Sequence, residues 1–353
     1  MNKIVPLLLF LSCLLSSCWQ DVYVDWDGTP VQLSLTTRQL CADSAIQIDV
    51  QPASRDAYRV HGDSLRYYLQ VELWVNGAEQ GKMYIEKSAD SLSYLPYATT
   101  YYTSTYIPKA GDRIGIRATC EGFEPLTAET VIPSVVPIEK LGYTYEFDTI
   151  DYQLHMAFQL TFRDNPSTAD YYAYSYMLLT KDSLGRFVYT PYSFGYGYGM
   201  EGSGYVLSSV QEEPDPIVKF RPNTLDYIFD ETSSLYANFF DDSDISGESY
   251  TLQFSFSGYV LYYAFENGYI KYLEQTFPDT LYIQPILTTM SQDYYYYNIS
   301  SWASKGFLIG SLTEVGLSDP IEAYSNVEGG EGILYGCNPS PALIEIVPKD
   351  HLE

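Results

Sequence analysis

Basic side chains are scarce in this sequence: 19 Lys plus Arg stand against 45 Asp plus Glu in 353 residues, a formal net charge of −26. A field of that sign repels phosphate backbones, and no segment carries a basic stripe, which excludes nucleic acid as a partner. Histidine is scarcer still, with only His61, His155 and His351. No His-Glu-x-x-His helix, nucleophile elbow or phosphate loop is present, so zinc-protease, α/β-hydrolase and nucleotide-hydrolase chemistry have no motif to stand on. The five cysteines form neither a Cys-x-x-Cys pair nor a Cys/His cluster, and a structural zinc site has no ligands. No cofactor and no metal are expected. Tyrosine is abundant instead, 37 residues against 16 Phe and 4 Trp. Such a chain suits pleated, half-buried strands better than helices.

The amino end has one early cation, Lys3, then an almost unbroken apolar run from Ile4 to Leu15, then Ser16-Ser17-Cys18. That pattern is a secretory signal, too short to cross a bilayer. Leu15-Ser16-Ser17-Cys18 also matches the bacterial lipobox, in which Cys18 takes the lipid and becomes the first residue of the mature chain. Each buried acyl methylene contributes ~0.8 kcal/mol, so several chains on one cysteine anchor the protein to outer-membrane lipid. Residues 1–17 are read as signal peptide, and 18–30, acidic and aromatic (Trp19, Asp21, Asp25, Trp26, Asp27), as a tether. An acidic segment directly after the lipidated cysteine resembles the export signal of surface-exposed Bacteroidetes lipoproteins, and the expected location is the outer membrane, facing the exterior.

From Val31 the chain reads as short strands with period-two alternation: Val31-Leu33-Leu35, Ile46-Ile48-Val50, Leu69-Val71-Leu73-Val75 and Ile114-Ile116-Ala118. Asn76-Gly77 marks a hairpin after the third of these. About seven strands over 31–136 predict an immunoglobulin-like or transthyretin-like β-sandwich. Pro133 and Pro137 stiffen a boundary, and 137–353 is expected to be a larger β-rich domain. In it Leu154, Met156, Phe158, Leu160 and Phe162 line one face of a strong strand, Tyr171 to Thr180 runs back as its partner, and a late helix starts near Ser291. Ser291 is its expected cap, with Tyr294, Tyr297, Ser301 and Trp302 on the packing face. The predicted fold class is therefore mainly β, with that one late helix.

Candidate site residues are few. Cys41, Cys120 and Cys337 leave an odd thiol in an oxidising compartment. A Cys41–Cys120 bridge across the sandwich is one arrangement, and buried free thiols are the other. Asp242-Ser243-Asp244 imitates the start of a calcium loop, with Asp242 and Asp244 as ligands, but position twelve is Gln253, where a bidentate Glu is required; an Asx-rich turn is the favoured reading. Trp74, on the polar face of its strand, and Tyr192, Tyr196, Tyr198 and Tyr205, around the glycine-rich segment 194–204, offer flat amphipathic rings to a glycan or peptide. The same rings could simply stack along a sheet.

The segment from Ser318-Asp319-Pro320 to Gly332-Ile333-Leu334, with Ser325-Asn326-Val327-Glu328-Gly329-Gly330 within it, resembles the hallmark of a Bacteroidetes lipoprotein family, domain of unknown function 4249. The lipobox, the Lys109-Ala110-Gly111 turn, Val136-Pro137-Ile138 and Asp164-Asn165-Pro166 fit the same resemblance. It implies an outer-membrane protein working beside a TonB-dependent receptor in nutrient capture or receptor assembly, and it implies no catalytic residues. The expected function is thus non-enzymatic binding of a glycan or peptide, with a structural or adhesive role and then a glycan or peptide hydrolase as alternatives.

Overall fold

The computed structural model describes residues 32–53, 69–87, 100–148, 150, 153–181, 185, 187–190, 204–211, 215–219, 238–266, 269–274, 281–304 and 323–346. The lipobox with Cys18, the tether, and Tyr192, Tyr196 and Tyr198 lie outside these residues. Alternation is the rule that shapes the first half: Leu33-Leu35, Ile46-Ile48-Val50, Val71-Leu73-Val75 and Ile114-Ile116-Ala118 all turn inward into one core. They belong to two five-stranded sheets. One runs Gly330–Ile333, Leu33–Gln39, Gln47–Pro52, Thr100–Thr103, Tyr84–Lys87. The other runs Val327–Glu328, Leu126–Val131, Arg113–Thr119, Gln70–Val75, Ala78–Lys82. The Asn76-Gly77 hairpin forms as its sequence dictates, both residues at positive φ (52° and 80°) between paired Val75 and Ala78.

The first-named strand of each sheet was not expected. Val327–Glu328 pairs with Thr127 and Ala128 at the edge of one sheet, and Gly330–Ile333 runs parallel to Leu33–Thr36 at the edge of the other. The C-terminal tail therefore completes the N-terminal sandwich, and the boundary drawn at residue 137 is crossed by strand pairing. The glycines make this passage possible. A Cβ on Gly329 would lie 2.0 Å from the Pro125 carbonyl oxygen, one on Gly330 2.4 Å from that of Leu33, and one on Gly332 2.0 Å from that of Leu35. Gly329 and Gly332 also hold φ of 72° and 111°. Asn326 fastens the entry to the passage, its amide donating to the Glu129 and Leu334 carbonyls and accepting from Leu334 N–H.

The second half is likewise two sheets about one core. The first contains Gly204–Gln211, Ser249–Glu266, Gln153–Arg163 and Ile138–Asp148, with Tyr269–Glu274 added to the long strand. The second contains Phe187–Thr190, Tyr171–Lys181, Leu281–Met290 and Cys337–Pro341, with Phe239–Asp241 and Ile344–Ile346 at its sides. Tyr171–Lys181 is thus not the hairpin partner of Gln153–Arg163. It sits in the opposite sheet and pairs with Leu281–Met290, while Gln153–Arg163 pairs with Ser249–Tyr259. The connection 164–170 is longer than the two to five residues of a hairpin loop and arches from one sheet to the other.

The helix spans Gln292–Ser304. Tyr295 is its buried residue, 5% exposed, and stacks near Tyr171 and Phe239. The packing face is thereby rotated one residue from the expected set, although Tyr294 does lie flat on Tyr335 at 3.7 Å. Ser291 does not cap with its side chain: its carbonyl accepts from Tyr295 N–H, and its hydroxyl oxygen accepts from Gly336 N–H. The tail has taken the group that the helix would have used. Among the described residues no helix is long and apolar enough to cross a membrane.

Gly332→Ala is expected to lower stability by about 2–4 kcal/mol, the scale of severe backbone strain with a buried clash. Gly111→Ala, at φ 87° but in open space, should lose only about 1 kcal/mol. Urea unfolding of the two variants measures the difference, and equal losses would contradict the close passage of the tail.

Candidate functional site

Two loops cross between the sheets of the second sandwich side by side, residues 164–170 and 242–248, and three carboxylates hold them together. Asp164, Asp170 and Asp242 are 2%, 8% and 9% exposed, and one oxygen of each falls within 4.8 Å of the others. Asp164 accepts from the Tyr172 hydroxyl at 2.5 Å through one oxygen and from Gly247 N–H at 2.8 Å through the other. Asp170 accepts from the Thr168 hydroxyl at 2.8 Å. Asp242 accepts from Asp170 N–H at 2.8 Å, and its own N–H donates to the Asp170 carbonyl at 3.1 Å. Burial, and then the neighbouring carboxylates, push Asp170 and Asp242 above the usual carboxylate range. Burial and the bond to Asp164 push the Tyr172 phenol far up.

Three oxygens this close could bridge a hard divalent cation. The donors just named already occupy an oxygen of each residue, and both of Asp164, so the cluster is a clasp in its own right. The expected calcium pair is separated. Asp242 turns into the clasp, whereas Asp244 is exposed and meets Lys219 Nζ at 3.3 Å. Asp241, between them in space, takes the Tyr295 hydroxyl at 3.0 Å and Ser243 N–H at 3.0 Å. The segment 242–248 is a turn: the Asp241 carboxylate closes an Asx turn on Ser243 N–H at 3.0 Å, and Ile245 N–H closes a backbone turn on the Asp242 carbonyl at 2.9 Å.

Beside the clasp lies a cleft of about 430 Å³ between the two sandwiches. Arg113, Glu129 and Thr130 line it from the first sandwich, and Asp170, Tyr171, Gln292 and Asp293 from the second. Arg113 and Glu129 face each other at 3.5 Å on the rim, both largely exposed. Asp293, in the first turn of the helix, is committed: it accepts from the Tyr324 hydroxyl at 2.8 Å and the Thr130 hydroxyl at 3.1 Å, which ties helix, tail and first sandwich at one point. Burial and this bond push Tyr324 up to about 12. The cleft therefore presents a rim ion pair, a glutamine and backbone groups over a floor whose acids are already satisfied.

The chain's residues 64–341 match the model of a family described as Domain of unknown function (DUF4249). The chain belongs to this family. No curated protein sequence matches this chain, and its neighbours among solved structures are distant. A glycosyl hydrolase family 2 member from Bacteroides cellulosilyticus shares 12% identity over 74% of this chain and 27% of its own, with a TM-score of 0.17. Parabacteroides merdae β-glucuronidase shares 10% over 73% of this chain and 24% of its own, with a TM-score of 0.18. The DUF4249 chain spans about a quarter of the length of these enzymes, and scores this low carry no argument about activity.

Of the ring residues singled out from sequence, Trp74 is half-buried in its strand opposite Gly115 and does not line the cleft. Tyr205 does not belong to a loop: it lies in the strand Gly204–Gln211, opposite Tyr262. Cys41 is not beside Cys120. The fold brings it to Cys337, with 3.6 Å between the sulfurs, because the tail strand next to Leu33–Gln39 delivers Cys337 to the end of that strand. Sequence reasoning missed Asp170, Arg113, Glu129, Gln292 and Asp293 as neighbours. Asp164-Asn165-Pro166 stood out only as a strand end, and its first residue proves to be the centre of the clasp.

The raised pKa values of Asp170 and Asp242 fix a sign. A carboxyl held above its unfolded value favours folding in acid, and that stability is lost as pH rises through the folded value. Asp242→Asn keeps an acceptor for Asp170 N–H and removes a charge, so it should raise the unfolding free energy near pH 7 and leave it unchanged near pH 3.5. Asp164→Ala strands the Tyr172 hydroxyl and Gly247 N–H and should lose about 2–4 kcal/mol. Denaturant titrations at both pH values check the pair.

Proposed function

We propose that this DUF4249 protein is a lipid-anchored binding protein of the outer membrane, facing the exterior, that captures a peptide or glycan beside a TonB-dependent transporter and performs no catalysis of its own. The single observation that carries the binding part is the cleft between the sandwiches. A recess of its size, with exposed hydrogen-bonding groups from both halves over a rigid floor, suits a small polar ligand. Arg113, Glu129 and Gln292 are the polar groups at its mouth that a ligand would meet, by exchanging the Arg113–Glu129 contact of 3.5 Å and the 3.2 Å bond from Gln292 to the Tyr296 hydroxyl. The anchor rests on Leu15-Ser16-Ser17-Cys18, and the aromatic glycine-rich segment containing Tyr196 and Tyr198 supplies a further set of stacking groups for the same ligand.

The alternative, a structural or adhesive protein, draws on the exposed edge strand Tyr84–Lys87, where Tyr84 and Ile85 are 50% and 42% exposed. Exposed edges of this kind accept a partner strand. The two readings differ in what they bind.

Purified protein lacking the lipid should bind members of a peptide or glycan panel by calorimetry. Arg113→Ala combined with Gln292→Ala should weaken that binding roughly tenfold, the scale of one or two lost hydrogen bonds, without moving the melting temperature. Tyr196→Ala with Tyr198→Ala should weaken it also. A panel that gives no binding, together with a stable protein partner after mild detergent extraction, would favour the adhesive reading. Cys18→Ala should release the protein from the envelope fraction, and retention there would remove the anchor.

A further inference from the structure

Cys41 and Cys337 stand 296 positions apart in the chain, yet their sulfurs are 3.6 Å from each other. Two hydrogen bonds straddle them: Cys337 N–H donates to the Leu40 carbonyl at 3.0 Å, and Ala42 N–H donates to Asn338 Oδ1 at 2.8 Å. These two bonds hold the segments against each other on both sides of the sulfurs. From 3.6 Å the sulfurs need to close by roughly 1.6 Å to reach the ~2.0 Å of an S–S bond. Both residues are partly exposed, so a reagent can reach them. Asn338, 2% exposed, fixes the segment further by donating to the Pro133 carbonyl, and its own carbonyl accepts from the Thr289 hydroxyl at 3.3 Å.

We propose that Cys41 and Cys337 form a disulfide in the mature protein, fastening the C-terminal tail to the end of the strand Leu33–Gln39, and that Cys120 stays a thiol. The oxidant is a disulfide, carried by an oxidoreductase of the envelope or by a small molecule such as oxidised glutathione. Cys41 is the attacking sulfur: the hydrogen bond shared with Cys337 draws the Cys41 pKa below the usual thiol value, whereas Cys337 is pushed up by that same bond and by burial. Attack breaks the oxidant's S–S bond, forms a mixed disulfide on Cys41 and releases one thiolate. Cys337 then gives up its proton and attacks the Cys41 sulfur, expelling the second thiolate. Two S–H bonds become one S–S bond, and both electrons and both protons end on the oxidant's sulfurs. The loop so closed covers nearly the whole described chain, the case in which a crosslink restricts the unfolded ensemble most.

The test is peptide mapping of the full lipoprotein after treatment with oxidised glutathione and alkylation with N-ethylmaleimide. The expected result is one linked peptide pair carrying Cys41 and Cys337, lost on reduction, with Cys120 alkylated. The same linkage should survive in Cys120→Ser and vanish in Cys41→Ser and in Cys337→Ser. Three alkylated cysteines, a link through Cys120, or glutathione retained on Cys41 would each overturn the proposal. Oxidised Cys120→Ser should melt several degrees above its reduced form, and an unchanged midpoint would overturn the fastening role.

Discussion

The structure depends on the stretch 327–341, late in the chain, lying at the edges of sheets built from residues far before it. Val327–Glu328 closes one sheet of the first sandwich, Gly330–Ile333 closes the other, and Cys337–Pro341 joins the second sandwich. Only glycine can pass carbonyl oxygens that closely, and only three strands so near in sequence can bind three sheets to one another. The polar contacts follow the same path. Asn326 anchors the entry, Ser291 gives up its capping hydroxyl to Gly336, and Asn338 bonds to both the Pro133 linker and the residue after Cys41. Two edge strands of the first sandwich thus come from the last part of the chain, an arrangement of high contact order.

A second constraint comes from charge. With cations so few, buried and half-buried acids take other donors, and tyrosine hydroxyls supply several of them. Tyr172 serves Asp164, Tyr250 serves Asp215, Tyr295 serves Asp241, Tyr324 serves Asp293 and Tyr106 serves Asp112. A phenol brings apolar area to the core and a donor to the carboxylate without burying a second charge, which avoids the desolvation that a buried ion pair requires. Much of the tyrosine excess among the described residues therefore has a structural reason, and the clasp of Asp164, Asp170 and Asp242 gives the neighbouring cleft a rigid floor.

Local pattern was legible wherever a strand has one wet face. Leu154 to Phe162 and Val71 to Val75 announce themselves by alternation, and Asn76-Gly77 by its tolerance of positive φ. Partnership was not legible. Tyr171–Lys181 looks like a hairpin return from Arg163, and its pairing with Leu281–Met290 in the opposite sheet shows that the chain arches away. Cys41 and Cys120 share a half of the chain and invite pairing, but proximity in sequence does not measure distance between sulfurs. The helix face was misplaced by one residue because aromatic side chains surround Gln292–Ser304 on several sides, so periodicity alone could not select Tyr295.

The sequence by itself determined that this is a mainly β chain of strongly anionic character, with its inward faces, its tight turns and the glycine-rich tail that marks its family. These are properties of neighbours along the chain: side-chain period, backbone sterics and formal charge. The tertiary structure alone decided which sheet each strand joins, that the tail completes the first sandwich, that Asp164 gathers Asp170 and Asp242, and that Cys41 meets Cys337. Each of these joins residues tens to hundreds of positions apart. Their pairing is set by how two cores close against one another, which no local pattern encodes.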